Sequence, residues 1–473
     1  MLKRKYKENF CNFALDKGYV LHFLIIFNSI PERFWNENLG LCAVSIPLLS
    51  CGGLAGGNYS RTHMKETENK YTVFTLPNGM RTVCWHTDGL VSYIGIVVNA
   101  GSRDESPSRH GLAHFVEHTI FKGTRSRKSW QVSSRMEVVG GELNAYTSKE
   151  ETMVYTNAPA GYEERAVELL ADIVSSSVFP QGEIEKEREV VIEEINSYLD
   201  SPSDSVYDEF EELAYAGSGL AHNILGDATS VRLLTGEDCR DFIDRHYTPS
   251  EMVAYCCSPL DPEKVRRLME RHFGCLCFPA TPRLRQAPPP MSPFNLRHDR
   301  GNHQANTIMG ARVFGRKDPR RFALYLLNNY LGGPCMNSRL NRELREKRGY
   351  VYTVDSNVSL MSDCGLMMVY FGSDPATVEK CRRVVLDEID RLAQSRMSDM
   401  AFEKVKRQYC GQLIVSSDHM ENRAMALAKS ILYYGEINDI STTAECIRSV
   451  TAEQLREVAA LLPPSGFGTL SLV

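Results

Sequence analysis

The feature that most limits what this chain can fold into is that it matches itself. Residues 155–174 align without a gap on residues 370–389, an offset of 215 positions. The alignment preserves chemistry: Ala166, Leu169, Leu170 and Val174 meet Cys381, Val384, Val385 and Ile389, and Asp172 meets Asp387. A repeat of this length is too long for a solenoid, so the pattern describes two homologous lobes. Between them the composition breaks, with prolines at 279, 282, 288, 289, 290 and 293. That spacing reads as a semi-rigid linker.

Within the first lobe, period-two patterning predicts strands at 71–76, 80–86 and 91–99, the first two joined by a Pro77-Asn78-Gly79 turn. Helical periodicity covers 108–122, strands follow near 142–147 and 152–157, and helices are expected over 162–176, 182–199, 204–216 and 236–246. The fold class is therefore α+β, with two homologous lobes, each an antiparallel sheet packed with helices, joined by a Pro-rich linker. The expected division is an extension over 1–70, a first lobe over 71–277, the linker over 278–298 and a second lobe over 299–473. Coherent patterning begins just after Met64. Before it, Lys3, Arg4, Lys5 and Lys7 precede a short apolar stretch from Val20 to Phe27, with acids interspersed. This matches neither a secretory signal nor a transit peptide, and residues 1–70 are expected to lie outside the folded enzyme.

Net charge is −5 with both signs interspersed, which argues against a nucleic-acid binder with its basic stripe. No apolar run reaches the roughly 18 residues needed to span a bilayer. The 14 cysteines contain no C-x-x-C pair. They read as free, mostly buried thiols, which favours the cytoplasm as the compartment.

The chemistry concentrates in His114-x-x-Glu117-His118, on the helix expected over 108–122. Residues four apart share a helix face, so both imidazoles can reach one metal ion. Glu117 lies beside them, placed to take a proton from a water at that metal. His110 falls on the same face and is a rival ligand. A catalytic zinc uses three protein ligands and one open position. The helix over 182–199 offers the third: Ile184, Val191, Ile195 and Tyr198 form its apolar face, and Glu187 and Glu194 border it two turns apart. A carboxylate beside an apolar face is costly unless paired or bound to metal. Either glutamate satisfies that requirement.

The set His114-x-x-Glu117-His118, followed 75 residues on by Glu194 inside 187–194, resembles the pitrilysin (insulinase) family of zinc peptidases, the inverzincin class. The likeness extends through Gly123-Thr124, Gly140-Gly141 and Asn144-Ala145-Tyr146-Thr147 in the first lobe. In the second lobe it includes Leu331-Gly332-Gly333, Ser338-Arg339-Leu340 and the run from Leu344 to Tyr352. It covers about residues 71–470 and is strongest to the two-lobe members, such as bacterial processing-type peptidases and the mitochondrial processing peptidase beta subunit. The resemblance implies that His114, His118 and Glu194 ligate one zinc ion per chain, with Glu117 as general base and Glu187 supporting the metal site. It implies that Arg345 and Tyr352 grip substrate and polarise the scissile carbonyl, and that Asn144, Ala145, Tyr146 and Thr147 form an edge strand to which substrate adds.

The expected activity is zinc-dependent endopeptidase hydrolysis of short or unfolded peptides in an enclosed chamber, with the zinc-bound water activated by Glu117. Family members of this length pair two chains, so a homodimer or a heterodimer with a related chain is expected. In the second lobe the positions aligned with His114, Glu117 and His118 hold Ala323, Leu326 and Leu327, and Gln412 falls opposite Glu194. One lobe is expected to be catalytic and its copy not.

Overall fold

The computed structural model describes residues 70–276 and 285–473. The expected extension, apart from Lys70, the last residue of the expected first lobe (277) and residues 278–284 of the expected linker lie outside the described residues. The first lobe contains strands β1 (Tyr71–Thr75), β2 (Arg81–His86), β3 (Val91–Val98), β4 (Glu142–Thr147), β5 (Thr152–Pro159) and β6 (Met252–Ser258). Its helices are α1 (Leu112–Thr119), α2 (Ser129–Glu137), α3 (Glu163–Ser176), α4 (Gln181–Leu199), α5 (Pro202–Ala214), α6 (Ala228–Leu233), α7 (Gly236–His246) and α8 (Pro262–Phe273). The second lobe contains β7 (Asn295–His298), β8 (Ala305–Val313), β9 (Val351–Leu360), β10 (Gly365–Ser373) and β11 (Gly468–Leu472). Its helices are α9 (Arg321–Gly332), α10 (Val378–Gln394), α11 (Asp399–Ser416), α12 (Met420–Tyr434), α13 (Ile440–Ser449) and α14 (Ala452–Ala460).

The strand orders repeat the self-match of the sequence. The first sheet runs β1-β2-β6-β3-β5-β4 and the second β7-β11-β8-β10-β9. Removing β1 makes them equivalent position by position, with β5 opposite β10, as the 155–174 and 370–389 alignment requires. Pairing is antiparallel except for one parallel pair in each sheet, β2 with β6 and β7 with β11. Those pairs occupy the same place in both lobes. The last four residues of the expected linker, 295–298, form the edge strand β7.

The sheets are apolar on both faces. Every residue of β6 is buried. Its alternate residues Met252, Ala254 and Cys256 face a core shared with the helices of the first lobe. Val253, Tyr255 and Cys257 face the other way, together with Val83, Trp85 and Val97. The adjacent Cys256 and Cys257 thus belong to two different cores, as the period of two dictates. All ten cysteines among the described residues are free, and seven are buried.

A sheet apolar on both faces needs two covers, and each sheet takes its second cover from the other half of the chain. Helix α12 lays Ala424, Met425, Leu427, Ala428 and Ile431 on the outer face of the first sheet. Helix α5 lays Val206, Phe210 and Ala214 on Ile308, Leu366, Met368, Leu470 and Leu472 of the second. Gly310 makes room for this contact: a Cβ there would meet the Phe210 ring at 2.8 Å.

Charges reinforce the exchange. Arg103 reaches Glu150 in the β4–β5 turn at 2.6 Å and makes a two-pronged contact with Asp363 in the β9–β10 turn at 2.6 and 2.8 Å. Glu150 also accepts from Arg316 and, at 2.9 and 2.6 Å, from the backbone N–H and hydroxyl of Ser362. Arg285 pairs with Asp104 at 2.7 Å. Three arginines therefore meet three acids in a largely buried cluster, where loss of one partner costs about 3–5 kcal/mol.

Two departures from the patterning have local causes. The helix expected over 108–122 is only Leu112–Thr119, because Gly111 has φ 87° and cannot continue it backwards. Helices α2 and α6 are only nine and six residues long, too short for an apolar period to announce them.

The exchanged helices predict joint unfolding. Phe210→Ala should cost about 3–5 kcal/mol in urea denaturation and shift spectroscopic reporters in both lobes together. Separate transitions, with only one moved, would show that the lobes are independent.

Candidate metal centre and active site

Helix α1 begins abruptly, and its start is locked twice. The backbone N–H groups of Gly111 and Ala113 donate to the Glu105 carboxylate at 2.9 and 2.7 Å, an anion at a helix N-terminus. A Cβ on Gly111 would lie 2.5 Å from the Leu225 carbonyl oxygen, so the 225–226 loop packs backbone against backbone. His110 is left outside the helix. Its ring stacks on His222 with centroids 3.9 Å apart, and it takes no part in the group of metal-type donors described below, so it is no longer a rival ligand.

Three and seven residues past Gly111, α1 presents its histidines to α4. His118 Nε2 lies 3.3 Å from Glu194 Oε2, and His114 Nε2 lies 3.8 Å from the same oxygen. The two rings meet edge to face at 4.6 Å between centroids. One ligand atom from each of His114, His118 and Glu194 lies within 4.8 Å of the others. Ligands about 2.0–2.2 Å from a tetrahedral zinc stand roughly 3.3–3.5 Å apart. Two imidazole nitrogens and one carboxylate oxygen at these separations, largely shielded from water, therefore fit a zinc ion. Three donors also leave the open position that a catalytic site uses.

Glu187, two turns before Glu194, is engaged differently. Its Oε2 lies 3.3 Å from His118 Nδ1, and its Oε1 lies 2.6 Å from Lys122 Nζ. This is the carboxylate–histidine arrangement that fixes the orientation of a ligating ring. Burial works against a charged His118. Its hydrogen bonds to Glu187 and Glu194, with the charges of Glu117 and Glu194, outweigh that and raise it to about 9. A metal held by His118 would require that proton to leave. For Glu187, burial favours the neutral acid, but the hydrogen bonds from His118 and Lys122 overcome it and hold the carboxyl below its usual range. Glu185, Glu189 and Glu193 are exposed, as the helical period requires.

Glu117 shares the α1 surface with the two histidines and is 5% exposed. Its charge acts on His118 and on the phenol of Tyr247, which is fully buried and pushed upward first by that burial.

The expected substrate strand is β4, with Asn144, Ala145, Tyr146 and Thr147 inside it. It is the outer strand of the first sheet, paired only with β5 among the described residues, and it packs beside α1. Helix α12 reaches it as well: Lys429 Nζ lies 5.0 Å from the centre of the Tyr146 ring.

Arg345 and Tyr352 belong to the second lobe, on elements other than the α1 and α4 that carry the histidines and glutamates. Arg345 sits in a π-helical turn, Asn341–Glu346, that packs on β9, the counterpart of β4. Tyr352 is the extra residue of a β-bulge: Thr353 pairs with Gly372 and Val351 with Ser373, leaving Tyr352 unpaired. A bulge re-aims a side chain, and Tyr352 is 67% exposed. Neither side chain makes a hydrogen bond or ion pair among the described residues.

The second lobe has no equivalent of the cluster. Ala323, Leu326 and Leu327 are buried core residues of α9, and Gln412 donates to Cys335 Sγ at 2.9 Å. The sequence reading missed Glu105, Lys122 and Tyr247, each of which acts through a contact distant in the chain or through a partner invisible in the sequence. Lys122, four residues after His118, could have been found by extending the helical spacing one more turn.

Comparison with known proteins gives one consistent result. Residues 82–228 match the family described as Insulinase (Peptidase family M16), and residues 234–409 match the Peptidase M16 inactive domain. An uncharacterized zinc protease of Streptomyces coelicolor is 34% identical over 403 residues, covering 81% of this chain and 85% of the relative. One of Mycobacterium tuberculosis is 33% identical over 403 residues, covering 84% and 92%. The crystal structure of a protease from Helicobacter pylori superposes with a TM-score of 0.78 at 22% identity, over 85% of this chain and 99% of that one. At that identity the last likeness speaks for the fold alone.

The geometry predicts that His114→Ala and Glu194→Gln each weaken zinc binding by more than the ~10–100-fold that loss of an outer partner costs. Atomic absorption after gel filtration checks this. Unchanged zinc in both variants would place the metal elsewhere.

Proposed function

The chain belongs to the insulinase family of M16 peptidases, and from that premise we propose that it is a zinc-dependent endopeptidase hydrolysing short or unfolded peptides in an enclosed chamber. The observation that carries this reading is the convergence of His114, His118 and Glu194 on one point, with Glu117 on the same helix and an edge strand against it.

His114, His118 and Glu194 would hold the zinc. Bound there, it supplies Lewis acidity that polarises the scissile carbonyl and lowers the pKa of water. Glu117 is the general base: its carboxylate takes a proton from the attacking water and passes it to the leaving nitrogen. Glu187 holds the His118 ring at Nδ1, so Nε2 faces Glu194. An extended peptide adds to β4 through main-chain hydrogen bonds, which orients it without demanding a particular side chain. Burial of His114 and Glu117 keeps bulk water from competing at the base. From the second lobe, the Tyr352 hydroxyl donates to the oxygen that becomes negative as the carbonyl is attacked, and the Arg345 guanidinium grips a substrate carbonyl. The exposure of both side chains supports those roles, since each is available to a ligand.

The reading includes a second chain, identical or related, that completes the chamber, and work in the cytoplasm. Among the described residues no helix is long and apolar enough to cross a membrane.

With an unfolded peptide mixture as substrate, Glu117→Gln is expected to keep its zinc and lower kcat by about 10²–10⁴-fold. Tyr352→Phe is expected to lower kcat by about 10²–10³-fold with KM little changed. Stopped assays with paired zinc analysis measure both. Full activity in Glu117→Gln contradicts the assignment of the base.

A further inference from the structure

We propose that Lys122 is a positioning residue of the metal site: by holding Glu187 it fixes the ring of His118 and leaves Glu194 as the carboxylate that meets the metal. This deepens the zinc-peptidase reading and rests on it.

The argument begins with a choice the sequence leaves open. Glu187 and Glu194 stand on the same side of α4, two turns apart, and either has the chemistry of a ligand. The structure separates them by what each oxygen touches. Both oxygens of Glu187 are engaged, Oε1 with Lys122 Nζ at 2.6 Å and Oε2 with His118 Nδ1 at 3.3 Å. Glu194 turns Oε2 toward the Nε2 atoms of both histidines. Lys122 follows His118 by four residues, just past the end of α1, so the turn that leaves the histidine helix delivers the ammonium.

Other cations on α4 do not serve this purpose. Lys186 pairs with Glu183 at 2.8 Å, and Arg188 donates to the Leu234 carbonyl at 2.8 Å. The Lys122 and Glu187 side chains are 26% and 11% exposed, so the pair is screened less than a surface pair. Without the ammonium, Glu187 keeps only its contact with His118 among those described above and is free to turn toward the metal or away from it. In either case the His118 ring loses its fixed acceptor.

The experiment measures zinc affinity of the full chain by competition against a chelator of known strength, with thermal melting of the metal-free protein as the folding control. Lys122→Met should weaken zinc binding ~10–100-fold, the usual cost of an outer partner. Lys122→Arg should recover most of the loss, because a guanidinium also reaches Glu187. In the Glu187→Gln background, Lys122→Met should cost nothing further, since Lys122 then has no carboxylate to hold. Lys122→Gln, uncharged but still polar, is read in the same assay, so an unstable methionine variant leaves the question decidable. The proposal is overturned if Lys122→Met and Lys122→Gln bind zinc as the wild type does, or if the losses from positions 122 and 187 multiply. Wild-type protein that takes up no zinc overturns the peptidase reading as well, which separates the two failures.

Discussion

Each central sheet is apolar on both faces, and that requirement shapes everything else. One face of the first sheet is covered by helices of its own lobe. The other would meet water if α12 did not cross from the second half of the chain to close it. Helix α5 closes the second sheet in return. Burying large apolar side chains at ~1.5–3 kcal/mol each in both exchanged contacts makes separation of the lobes as costly as unfolding a core. The buried arginine–carboxylate cluster around Glu150 adds direction to that adhesion. It ties the β4–β5 turn to the β9–β10 turn, so the edge strand β4 and the strand that carries Tyr352 are held in fixed relation.

A duplicated fold has used its two copies differently. Helix α1 and helix α9 occupy equivalent places, yet one carries His114, Glu117 and His118 and the other carries Ala323, Leu326 and Leu327. In α9 those positions finish a core at almost no exposure. In α1 the same positions are polar and shielded, a costly arrangement unless the groups are paired or bound to metal. Helix α4 supplies the partners. The second lobe is relieved of that demand and carries an exposed arginine in a π-helical turn and an exposed tyrosine on a bulge.

Much of this was legible in the residues because it depends on short periods. The spacing of four between the histidines and of seven between Glu187 and Glu194 defines helix faces. The self-match at 215 positions gave two lobes with equivalent sheets. What escaped depends on contacts between distant segments. The exchange of α5 and α12 is invisible because their apolar stripes do not name the sheet they cover. The parallel pairs β2–β6 and β7–β11 join strands far apart in sequence. The true start of α1 is set by the Gly111 backbone against Leu225 and by the Glu105 carboxylate. The bulge that exposes Tyr352 could not be read from the residues, because a bulge is a property of the pairing and not of one strand. What distinguishes Glu187 from Glu194 is likewise a contact outside α4: Lys122 engages one oxygen of Glu187.

The most direct test of the central claim is zinc-edge X-ray absorption on the purified protein. Two imidazole nitrogens and carboxylate oxygen at about 2.0–2.2 Å, with one zinc per chain, are predicted. Anomalous diffraction at the same edge should place the ion between α1 and α4. Sulfur at about 2.3 Å in the first shell would mean that some of the 14 cysteines hold the metal. Either that result or an ion outside the first lobe would contradict the account.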